Sequence, residues 1–86
     1  ITPAAFVRAY LNQRMAREGE IAKCLETGTT TISDMVERMY THLPEKMYGP
    51  ASRSVLAHLE HMVETNRADC DGLVTINSIF SPPSQH

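Results

Sequence analysis

At 86 residues the chain has room for one domain, and folding at this length buries only about 60 to 65% of the unfolded surface. A hydrophobic fraction of 42% and a charged fraction of 21% are those of an ordinary globular domain; no apolar run approaches the roughly 18 residues needed to span a bilayer, and no signal peptide is visible, so no membrane association and a cytoplasmic location are expected. Eight basic residues against ten acidic ones, a net charge of −2, disfavour nucleic acid as an independent partner, because phosphate binding requires clustered Lys and Arg.

The chain opens at Ile1 without a methionine and enters a helix at once, so it is read as a piece of a longer protein. Thr2 before Pro3 is the expected entry, a hydroxyl cap followed by a proline at the first helical position. The first helix is predicted to run to about Glu26 or Thr27, with Phe6, Val7, Tyr10, Leu11, Met15, Ile21, Ala22 and Leu25 on one broad face and Gly28 as the stop. A short β-branched strand is expected at 29–31. Thr31 reads as the cap of a second helix, 32 to about 41, with Asp34 near the positive end of its dipole and Ile32, Met35, Val36, Met39 and Tyr40 inward.

Pro44, Gly49 and Pro50 then punctuate a connection with room for at most one helical turn near 45–48. A third helix is predicted from Ala51 or Ser52 to about Asn66, its apolar stripe centred on Val55 and Leu59. Two strands, 67–70 and 73–76, are expected to form a wing across Asp71-Gly72, a pair suited to a tight type I′ turn. Residues 78–86 lack a burial pattern and read as a flexible tail after a domain spanning 1–77. Cys24 and Cys70 offer neither a disulfide framework nor zinc-ligand spacing, and read as reduced core or half-buried thiols.

This order of elements, helix, short strand, helix, helix, two-stranded wing, is a predominantly helical α+β winged helix. Tyr10-x3-Arg14-x2-Arg17-Glu18-x2-Ile21, then Thr31-x2-Asp34-x-Val36 with Tyr40, Leu43-Pro44-Glu45, and Ala51 followed by Leu56-x-His58-Leu59-x2-Met62, resemble in order the winged-helix domain found C-terminal to many metallo-β-lactamase-fold hydrolases. The resemblance covers roughly residues 6 to 76. Gly19 and the acidic Ala68-Asp69-Cys70-Asp71 wing depart from the family pattern; the glycine is expected to mark a kink or a close contact.

What the resemblance implies is a hydrolase whose upstream catalytic domain binds two metal ions, usually zinc, through a His-x-His-x-Asp-His motif absent from these residues. The 86 residues would then hold no catalytic or metal-binding residue. Their expected partner is that N-terminal catalytic domain of the same chain, with a homodimer as a further possibility. Other classes carried alongside are a DNA-binding regulator fragment and a free-standing protein-interaction module.

Arg14, Arg17 and Glu18 stand out because helical spacing puts them among Phe6, Tyr10 and Ile21, where charges are costly. One reading is a surface Arg14–Glu18 pair; the other places Phe6, Tyr10, Arg14 and Arg17 at an interdomain interface, since interfaces favour aromatic and arginine anchors. Met47 and Tyr48 are the candidates for a cleft-facing loop. His58 and His61, three apart, fall short of the three or four ligands of a zinc site and read as a partly buried packing residue and an exposed one. The outward face of the third helix, Arg53, Ser54, Ala57, Glu60, His61 and Glu64, lacks the donors of a DNA-reading helix.

Overall fold

A computed structural model describes residues 3–83. The first helix, α1, spans Pro3–Glu26; the Thr2 cap expected before it lies outside the described residues. The helix ends as its sequence requires. Gly28 takes a φ of +117°, and the N–H groups of Thr27 and Gly28 donate to the carbonyls of Cys24 and Leu25.

Strand β1, Thr30–Thr31, leads directly into α2, Ile32–Met39. Thr31 caps that helix: its Oγ1 accepts from the Asp34 N–H at 3.3 Å. The single helical turn expected near 45–48 is present, but the third helix begins earlier than Ala51. A 3₁₀ turn at Glu45–Met47 runs straight into α3, Tyr48–Glu64, so Gly49 and Pro50 lie inside the first turn of the helix. Proline is tolerated there because its missing N–H would have found no intrahelical partner. Met47 and Tyr48 therefore sit at a helical junction and not on an irregular loop.

The C-terminus of α3 sets up the wing. Asn66 adopts the left-handed conformation, φ 62°, while the Arg67 N–H donates to the Met62 carbonyl at 2.7 Å and the Asn66 N–H to that of Val63. This doubly bonded stop reverses the chain within two residues. Strand β2, Asp69–Cys70, then pairs antiparallel with β3, Ile79–Ser81, which also pairs with β1 in the sheet order β1-β3-β2.

Two expectations fail here for one reason. Residues 73–76 form no strand, although Gly72 does take the positive φ of a turn, and β3 lies within the stretch read as a tail. Phe80, registered against Thr30 on one side and Cys70 on the other, is fully buried, whereas Leu73 is 88% exposed. Pairing across Asp71-Gly72 would satisfy a local turn preference but leave that ring unburied, so tertiary burial wins. The ordered domain accordingly extends past residue 77, and residues 84–86 of the expected tail lie outside the described residues.

Ile21, Cys24 and Leu25 from α1 meet Ile32, Met35 and Val36 from α2 and Val55, Leu59 and Met62 from α3, with Ala68 and Phe80 closing the core beneath the sheet. Cys24 is a buried free thiol and Cys70 a half-buried one, as their positions suggested. Met35 and Met62 are core filler, but Met15 is not: it is 71% exposed. Gly19 makes no close approach either, since a Cβ built there meets nothing within 4 Å.

Candidate functional site

The single apolar face expected along α1 divides in two. Every buried residue of the helix, Glu18, Ile21, Cys24 and Leu25, belongs to its last nine positions. A helix of 24 residues is about 36 Å long. Residues 3–17 project beyond the core, and none of them is buried. On this overhang Phe6 is 63% and Tyr10 58% exposed, with Val7, Leu11 and Met15 exposed beside them. At 3.6 residues per turn Phe6 and Tyr10 continue the line of Ile21 and Cys24, so the face that builds the core runs on, exposed, along the overhang.

Where the overhang meets the body, one carboxylate gathers four partners. Glu18 is only 4% exposed; its Oε2 accepts from Arg14 Nε at 3.2 Å, its Oε1 from Arg67 Nη2 at 2.6 Å, and His58 Nδ1 lies 3.0 Å from Oε2. His61 Nδ1 stands 3.3 Å from both carboxylate oxygens and 3.0 Å from Arg67 Nη2. That nitrogen satisfies one of them at a time: protonated it donates to Glu18, and bare it accepts from Arg67. Three elements are thus tied at one point, α1 through Glu18, α3 through the histidines and the wing base through Arg67. The reversal at Asn66 is what aims Arg67 back toward α1.

Burial alone would raise the Glu18 carboxyl, but hydrogen bonds from His58, Arg67, Arg14 and His61 outweigh it and lower the value from 4.5 to about 2. Glu18 is therefore an acceptor, held ionised, and not a proton donor near neutrality. Two guanidinium groups in the cluster also oppose a cation. Among the described residues no group of three or more His, Cys, Asp or Glu side chains could hold a metal ion.

The sequence candidates separate accordingly. Phe6 and Tyr10 share the exposed overhang; Arg14 and Arg17 mark its inner end, Arg14 bonded to Glu18 and Arg17 bonded to Glu20 at 3.2 Å with its guanidinium 4.8 Å above the Tyr40 ring. Met47 and Tyr48 lie elsewhere, exposed at the 3₁₀ junction. The Arg14–Glu18 pair exists but is no simple surface pair, because its acidic partner is buried. Missed entirely were the convergence of His58, His61 and Arg67 on Glu18. The available signal was a carboxylate on the core side of α1 with His58 on the core side of α3; nothing in the spacing told which would meet. Arg53, Ser54, Ala57, Glu60 and Glu64 are exposed on the outward face of α3 as expected. No helix among the described residues is long and apolar enough to cross a membrane.

A family model described as the beta-lactamase associated winged helix domain matches residues 31–73, half of the chain, from the last residue of β1 through β2. No curated protein and no solved structure matches the chain.

Proposed function

The chain belongs to the β-lactamase-associated winged-helix family, and on that premise we propose that it is the non-catalytic C-terminal domain of a metallo-β-lactamase-like, metal-dependent hydrolase, docked on the catalytic domain upstream and helping to wall its substrate cleft. The observation that supports this most is the α1 overhang, which carries exposed Phe6, Val7, Tyr10, Leu11 and Met15 in line with the core face. A stripe of that size in water is costly for a free-standing domain and useful for one with a neighbour. Phe6 and Tyr10 are the anchors of the docked surface, Arg14 and Arg17 its inner rim, and Glu18 fixes the angle at which the overhang leaves the body.

On this reading the two zinc ions and the hydrolytic step, and with them the cytoplasmic assignment, belong to the parent protein. No metal ligand is assigned to this chain, whose basic cluster around Glu18 does not suit a cation. The role of Met47 and Tyr48 at the cleft is part of the proposal: both are exposed at the start of α3 and are available to a substrate or to the neighbouring domain.

The test is anchor truncation in the full-length protein. Phe6→Ala and Tyr10→Ala should each weaken docking by about 1 to 3 kcal/mol, read as lost amide protection along α1. Docking unchanged in both variants would overturn the proposal.

A further inference from the structure

The charges on the overhang have an unusual placement. An amphipathic helix on a protein surface carries its charged residues opposite the apolar stripe. Residues 3–17 contain three arginines, Arg8, Arg14 and Arg17, and no Asp or Glu. By helical spacing Arg14 and Arg17 fall in line with Phe6 and Tyr10, and Arg8 borders Val7, Leu11 and Met15. Pro3, Ala4, Val7, Arg8 and Leu11 together line a shallow depression. The opposite side, Ala5, Ala9, Asn12, Gln13 and Ala16, carries no charge at all. Arg14 and Arg17 thus lie among the exposed rings, Arg8 lies at the far edge of the apolar arc beyond Met15, and the strip between these two edges on the solvent side is neutral.

Resting on the docking proposal above, we infer that the surface receiving α1 is an apolar seat rimmed by carboxylates, on a different protein domain and not on a second copy of this chain. Charge complementarity selects this occupant. Packing two such overhangs together would set three arginines against three with no acid between residues 3 and 17 to separate them. Arg8 has no ion pair among the described residues. Arg14 and Arg17 each make one ion pair, with Glu18 and Glu20, and their side chains remain 36% and 33% exposed, so further donors of each five-donor fork are available to a partner. Arg8 is the most informative probe, because it is exposed, borders the apolar arc and stands apart from the Glu18 cluster.

Amide hydrogen exchange of residues 3–17 in the full-length protein tests this, with sedimentation of the same samples reporting association. Raising salt from about 0.05 to about 0.5 M should lower protection at least threefold, since the Debye length then falls to roughly 4 Å and attraction between partly exposed charges is screened. At low salt, Arg8→Glu should lower protection roughly tenfold and Arg8→Gln by less, with no dimer present. Protection that ignores both salt and Arg8→Glu would overturn the carboxylate rim while leaving docking in place. Protection rising with protein concentration in step with a dimer would overturn it in favour of a second copy. Absence of protection at every salt concentration would remove both the seat and the docking proposal.

Discussion

Replacing Glu18 with glutamine keeps the size of the side chain and removes the charge that Arg14, Arg67 and the two histidines surround. A fall in the Glu18 value from 4.5 to about 2 corresponds, at about 1.4 kcal/mol per pH unit, to a ceiling of about 3 to 4 kcal/mol of stabilisation by the ionised form. Arg14 and Arg67 are 36% and 45% exposed, so water screens part of this, and about 1 to 2 kcal/mol is expected. The folded value is depressed, so this contribution is complete above pH 4.5 and fades as the pH falls toward 2. Urea denaturation of wild type and Glu18→Gln, followed by circular dichroism from neutral pH downward, gives the difference directly. It should be about 1 to 2 kcal/mol at neutrality and shrink toward zero near pH 2. Equal stabilities at neutrality, or a difference that does not change on acidification, would refute the ionic account of this junction.

Other substitutions separate core from overhang. Phe80→Ala should cost about 3 to 5 kcal/mol in the same denaturation assay, while Leu73→Ala, at a position 88% exposed, should change stability by less than about 0.5 kcal/mol. Gly19→Ala should stabilise the isolated chain by about 0.5 to 1 kcal/mol, because a methyl group there meets nothing and the helix gains a better former. Phe6→Ala and Tyr10→Ala should leave the thermal midpoint of the isolated chain nearly unchanged, since neither ring packs on its core.

The helices were legible because their signals are local. Gly28, Thr31 and Asp34 fix the α1–β1–α2 junction through caps and a positive φ that depend on adjacent residues, and the apolar spacing of Ile32, Met35 and Val36 names its own inward face. The β3 strand was not legible. Asp71-Gly72 advertises a tight turn, and only the place between β1 and β2, where Phe80 reaches the core, explains why the hairpin closes later. Pro50 misled similarly, being read as punctuation where it opens a helix. The Glu18 cluster unites positions forty to forty-nine residues apart, a separation that no periodicity reports. The division of α1 was hidden too, because Phe6 and Ile21 share a face and only the tertiary arrangement says which of them has a neighbour.

An unsupported helix of this length is marginal in water, so a bare overhang should exchange its amide hydrogens quickly. The decisive measurement is hydrogen exchange along α1 in the 86-residue chain alone and within the full-length protein. Docking predicts fast exchange of residues 3–17 in the former and strong slowing in the latter, with the stretch around Ile21 and Leu25 slow in both. The same rates for residues 3–17 in the two settings would contradict it.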